Sequence, residues 1–110
     1  MNNTKELVVI CSYLPKTGKH TELLNVLQNH VPTLRTIGLA TDYPCTLMTS
    51  ENGTIIEIFE WKSEEASRAA HDHPEVQKIW GAMMPLADFV PLSSLAETQK
   101  PFAHFKQLKN

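Results

Sequence analysis

The sequence predicts a small α+β domain, and three observations carry that reading. The chain has 110 residues, the length of one domain and not of two. Apolar runs of strand length alternate with apolar stripes of helical period. Turn-forming residues fall between them, at Pro15-Lys16-Thr17-Gly18, Gly38, Glu51-Asn52-Gly53 and His73-Pro74.

Leu7 to Leu14 reads as the first strand, because Leu7-Val8-Val9-Ile10 is a continuous apolar run of the kind covered on both faces. Thr17 is placed to cap the helix that follows, whose stripe is Leu23, Leu24, Leu27, Val31 and Leu34. Pro32 predicts a kink or stop near its end, and Gly38 closes it. The second strand is expected from about Leu39 to Ser50, with Pro44 making it an edge strand or a bulge. Asn52-Gly53 is a hairpin signal. The third strand, Thr54 to Trp61, points Ile55, Glu57, Phe59 and Trp61 one way and Ile56, Ile58 and Glu60 the other. Ser63 caps a short helix with Glu64 and Glu65 in its first turn. His71-Asp72-His73-Pro74 breaks it, and Pro74 opens a new helix with a Val76, Ile79, Trp80 and Met83 stripe. Pro85 ends that helix, and Asp88 to Leu95 is the fourth strand.

The order β-α-β-β-α-β is the ferredoxin-like split pattern, an antiparallel four-stranded sheet with helices on one face. Its open face would expose Ile and Val side chains, so a homodimer that pairs two sheets face to face is expected. The domain is expected over residues 1–97. Residues 98–110 form a C-terminal arm, which Phe102 and Phe105 would dock on the body or on a partner copy.

The net charge is -2, with both signs scattered and no basic run, which argues against nucleic acid as a partner. No apolar stretch is long enough to span a bilayer, so no membrane partner is expected. Met1–Glu6 lacks the segments of a secretory signal, and a cytoplasmic location is expected. Cys11 and Cys45 lie in the first two predicted strands and read as small buried residues rather than a disulfide framework.

His71 is the candidate catalytic residue, a base at a helix end able to take a proton from a phenol or quinol. Backbone hydrogen bonding at the helix break is its competing role. His71 and His73 would converge on a metal only if the helix ended between them and further ligands joined them; capping is their expected use, and no metal or other cofactor is predicted. Trp61, Trp80, Phe59 and Met83, with Met84, could line an apolar pocket for a small hydrophobic or aromatic ligand, or could simply be core. Glu57 shares its strand face with Phe59 and Trp61 and must be paired, or border a wet pocket or an interface. Tyr13 and Tyr43 could donate hydrogen bonds to a ligand, but nothing in the sequence singles them out.

The stretch Phe59-Glu60-Trp61-Lys62-Ser63-Glu64-Glu65-Ala66, followed by Ala70-His71 and His73-Pro74, resembles the antibiotic biosynthesis monooxygenase-like group of the dimeric α/β-barrel superfamily. Pro15-Lys16-Thr17-Gly18-Lys19 and Val31-Pro32-Thr33 agree more loosely, and the resemblance covers about residues 6–96. It implies a dimeric α/β barrel, and one of several activities: oxygenation of aromatic or quinol-like substrates without metal or flavin, haem degradation, or binding alone. The haem-degrading branch departs from this chain, which carries Trp80 where that branch has its histidine ligand and Cys11-Ser12 where it has an asparagine. Two functions are therefore expected as alternatives. One is a cofactor-independent monooxygenase acting on a small aromatic. The other is a non-enzymatic dimeric module that binds a small molecule or a protein.

Overall fold

The computed structural model describes residues 5–108. The stretch Met1–Thr4 and the last two residues of the predicted arm lie outside it. In order come β1 (Leu7–Pro15), α1 (His20–Thr36), β2 (Thr46–Thr49), β3 (Ile55–Trp61), α2 (Glu64–Asp72), α3 (Pro74–Met83), β4 (Ala87–Phe89) and β5 (Lys106–Gln107). Two short 3₁₀ turns, Leu92–Ser94 and Ala96–Gln99, lie between the last two strands. The strands form one antiparallel sheet in the order β4-β1-β3-β2-β5. This α+β arrangement is compatible with a ferredoxin-like fold. It corrects the expected strand count, since β5 pairs Met48 with Gln107 and Thr49 with Lys106 and adds a fifth strand beside β2.

The helices cover the face that carries Tyr13, Ile55, Phe59 and Trp61. Under α1 and α3 the core holds Tyr13, Leu23, Leu27, Ile55, Met83 and Leu86. Beside it Val31, Leu34, Ala40, Phe59, Trp61, Ala70 and Val76 form a second cluster, with the Phe59 and Trp61 rings edge to face at 4.9 Å.

Several boundaries differ from the sequence reading. Pro32 does not stop α1, which runs on to Thr36. Proline removes one helical hydrogen bond, to the carbonyl of Gln28. The burial of Leu27, Val31 and Leu34 outweighs that loss, and the Thr36 hydroxyl donates to the Pro32 carbonyl at 3.0 Å. Thr17 does not cap α1. The helix starts after Lys19, beyond Gly18 at φ +75°, and no side chain caps it. The second strand begins only at Thr46, because Arg35 and Thr41 fold residues 41–45 into a loop that ends at Pro44 and Cys45. The fourth strand stops at Phe89. The Val90 amide still donates to Ser12, but Pro91 has no donor to continue the ladder. Ser63 does cap α2, accepting from the Ala66 amide at 3.0 Å, and His73 caps α3 ahead of Pro74.

The sheet's other face is covered at one end only. Ser12, Thr54 and Ile56 are buried there, and the 92–99 segment packs against β1 with Leu95 fully enclosed. Glu97 ties this segment to the β2–β3 hairpin, accepting from the Ser50 hydroxyl at 2.8 Å and the Glu51 amide at 2.9 Å. At the other end Val8 is 58% and Ile10 46% exposed. In the arm, Phe102 is 79% exposed and does not dock, whereas Phe105 is half-buried. Among the described residues, no helix is long and apolar enough to cross a membrane.

Candidate functional site

A buried polar network runs through the middle of the helix-covered face. Glu57 sits at the centre of β3, with Cys11 of β1 opposite it on one side and Leu47 of β2 on the other. Its side chain is 0% exposed. Alternation along the strand turns it inward with Ile55 and Phe59, so the sequence pattern forces a carboxylate into the core. Two donors meet one of its oxygens. Tyr13 Oη donates to Oε1 at 2.8 Å, and His30 Nδ1 lies 2.9 Å from the same atom.

The direction of the second bond follows from the far side of the imidazole. Trp80 Nε1 lies 3.0 Å from His30 Nε2, and an indole nitrogen can only donate. Nε2 therefore accepts, Nδ1 carries the ring hydrogen, and His30 donates to Glu57. The chain Trp80→His30→Glu57←Tyr13 joins α3, α1, β3 and β1. Phe59 packs edge-on against His30, with ring centroids 5.5 Å apart.

Glu57 Oε2 has no hydrogen-bond partner among the described residues, though it is buried. A carboxylate oxygen in that state is an acceptor waiting for a donor. Burial drives the nearby Tyr13 hydroxyl far above its ordinary value, and the Glu57 carboxylate adds to the effect. Burial also pushes the Cys11 and Cys45 thiols up to about 11, again with Glu57 contributing. Both sulfurs are thus held as thiols, and neither suits a nucleophile.

A groove of about 310 Å³ opens along the flank of α1 that faces β2. Leu27 and Val31 form one wall and Leu47 and Leu108 the other, with Cys45, Gln28 and Arg35 supplying polar atoms. Leu47, which lines the groove, is the ladder partner of Glu57, so the two side chains are neighbours on one face of the sheet. The groove's volume is at the lower end for small-molecule sites and suits a single ring.

His71, the expected base, lies at the surface instead. Its Nδ1 is 3.2 Å from the Ser67 carbonyl, and its ring packs edge-on against the outer side of Trp80 at 5.1 Å. Met83, Phe59 and Trp61 are buried in the packed core, while Trp80 is half-buried and touches both His30 and His71. Glu57 alone of the six sequence candidates sits at the centre of the network with Trp80 at its end. No three histidine, cysteine or carboxylate side chains converge on a cation position among the described residues.

His30 and Tyr13 are the residues that sequence reasoning did not single out. A signal for His30 was present: it lies three residues after Leu27 and four before Leu34, within the apolar stripe of α1. A histidine there must find a buried partner, and among the described residues Glu57 is the carboxylate that meets it from the facing strand.

No family model matches the chain, and no curated protein matches it. Among solved structures it is similar to that of protein SO0527 from Shewanella oneidensis. The two share 20% identity at a TM-score of 0.61, over 78% of this chain and 84% of that one. At that identity the likeness shows a shared fold.

Proposed function

We propose that this protein takes a small phenol- or quinol-like molecule into the α1–β2 groove and oxidises it with molecular oxygen, with Glu57 as the proton acceptor and no metal or organic cofactor. The observation that carries this reading is the bare Oε2 of a fully buried carboxylate whose other oxygen is held by Tyr13 and His30. Two donors on Oε1 fix the carboxylate's orientation, and Oε2 keeps its lone pairs for a substrate hydroxyl. The resemblance of residues 59–74 to antibiotic biosynthesis monooxygenase-like sequences supplies the reaction class.

The chemistry balances without a further reductant. Glu57 Oε2 takes the phenolic proton, and the phenolate passes an electron to oxygen. The resulting radical and superoxide combine at a ring carbon that carries hydrogen, beside or opposite the hydroxyl. Loss of water then leaves a quinone, so one oxygen atom stays in the product and the other leaves with two hydrogens. Glu57 is fully enclosed, so its carboxylate works out of contact with bulk water. The working unit in this reading is a sheet-to-sheet homodimer, which would cover Val8 and Ile10 on the uncovered end of the open face.

A second reading, the non-enzymatic binding module, has one observation in its favour. Met83 is buried in the core and His71 is exposed to solvent, the arrangement expected of a module. Oxygen uptake across a panel of phenols and quinols, with binding measured in parallel, separates the two. Uptake that disappears in Glu57→Gln supports the oxygenase. Binding without uptake assigns the module, and the absence of both overturns each reading. Sedimentation at micromolar concentration tests the dimer, and a monomer there refutes it.

A further inference from the structure

We infer that the ligand of the α1–β2 groove carries an anionic group, of which a ring carboxylate is the simplest form, and that Arg35 selects it. This rests on the groove being the binding site, as proposed above.

Arg35 lies half-buried in the last turn of α1 and lines the groove. Its Nε donates to the Thr41 carbonyl at 2.8 Å, and its Nη2 donates to the Tyr43 carbonyl at 2.7 Å. These bonds lock the guanidinium plane against the 41–45 loop. They leave three of its five N–H groups uncommitted to the protein. Neutral carbonyls do not balance the charge, and among the described residues no carboxylate lies within 4.0 Å of it. The charge is nevertheless felt in the groove, since it opposes the rise of the Cys45 thiol. A fixed, unpaired, partly desolvated guanidinium is the group best suited to bind a carboxylate in two-point fashion.

The rest of the groove fits such a ligand. Leu47, Pro32 and Pro44 are apolar lining residues with surface to offer a ring, while Leu27 and Val31 are almost fully buried. Selection must be local, because the chain's net charge of -2 gives an anion no general attraction. Asp42, exposed on the rim, opposes anion entry and supplies an internal control. The ligand is then bipolar, with its hydroxyl toward Glu57 and its carboxylate toward Arg35.

The test compares para-hydroxybenzoate with para-hydroxybenzamide, the same ring without the charge. Binding to the full chain is followed by calorimetry and by amide chemical-shift changes at Val31, Cys45 and Leu47. The acid is expected to bind about tenfold more tightly than the amide, the scale of one partly desolvated charge-assisted contact. Arg35→Gln should bring the acid-to-amide affinity ratio down to about one, Arg35→Lys should keep part of the preference, and Asp42→Asn should increase it. Equal binding of acid and amide by the unaltered protein overturns the selection and leaves the groove standing, as does a preference that survives Arg35→Gln. Failure of both compounds to bind overturns the groove and the inference together. If Arg35→Gln does not fold, the acid-to-amide ratio in the unaltered protein and in Arg35→Lys still decides.

Discussion

Replacing Glu57 by Leu strands two donors in the core. Tyr13 Oη–H and His30 Nδ1–H both lie in almost fully buried side chains and both terminate on Glu57 Oε1. A buried donor without a partner costs about 1–3 kcal/mol, so the pair costs about 2–6 kcal/mol. Removing the buried carboxylate returns part of this. That return is full only when the partners are also replaced by apolar groups, and here they stay. A net loss of about 2–4 kcal/mol is expected, a large share of the roughly 5–15 kcal/mol that holds a domain of this size folded. Tyr13→Phe sharpens the test because its sign should reverse. In the unaltered protein it removes a hydrogen bond to a carboxylate and should destabilise by about 1.5–3 kcal/mol. In the Glu57→Leu background it removes an orphaned hydroxyl and should stabilise by about 1–3 kcal/mol. Urea unfolding followed by far-ultraviolet circular dichroism gives all four stabilities. Equal effects of Tyr13→Phe in the two backgrounds would refute the network as the reason these three side chains are buried together.

Three further expectations concern other parts of the molecule. The Glu97 carboxyl is held below its ordinary value by the Glu51 amide first, then by its own amide and the Ser50 hydroxyl. Its tie to the hairpin therefore contributes above the unfolded carboxyl value and is lost as pH falls through the lower folded one. Hydrogen-exchange protection of residues 50–51 and 96–99 should drop over that acidic window, and Glu97→Gln should remove the pH dependence. Cys11 and Cys45, with thiols raised from 9.0 to about 11, should carry roughly a hundredfold less thiolate at neutral pH and alkylate correspondingly slowly; iodoacetamide kinetics at the rate of a free thiol would contradict their burial. Gly53 sits at φ +91°, so Gly53→Ala should cost about 1–2 kcal/mol in thermal or urea unfolding, whereas His71→Ala at the surface should cost no more than about 0.5 kcal/mol.

The parts of this fold that were legible in the sequence are those governed by local pattern. Alternation set the inward face of β3, the Asn52-Gly53 turn set the hairpin, and Ser63 and Pro74 marked the starts of α2 and α3. The errors share a cause, which is tertiary contact overriding a local signal. Pro32 reads as a kink or a stop, and the packing of Leu27, Val31 and Leu34 carries the helix past it to Thr36. Residues 39–45 read as strand, yet Arg35 reaches back from α1 to claim the carbonyls of Thr41 and Tyr43. The site follows the same logic. Glu57 was visible as an inward carboxylate in need of a partner, but its donors lie 27 and 44 positions away in sequence. No spacing rule connects them, and only the register Cys11 to Glu57 and the seating of α1 on β3 bring them together. His71 attracted attention because it stands at a helix break, a place that exposes a side chain more readily than it encloses one.

Both borders of the sheet are formed by fragments, β4 with three residues and β5 with two. Of the long strands, β3 is interior, whereas β1 meets β4 only along Tyr13–Pro15. Among the described residues the border along β2 is thus the one that a short strand shields from a neighbouring polypeptide. The two-residue β5 protects β2 by occupying Met48 and Thr49. Cleavage before Phe105 would strip that cover and bare a strand whose Thr46-Leu47-Met48-Thr49 sequence carries no charge. The short C-terminal strand is thus also a guard on that border, and its removal would open β2 to edge-to-edge addition.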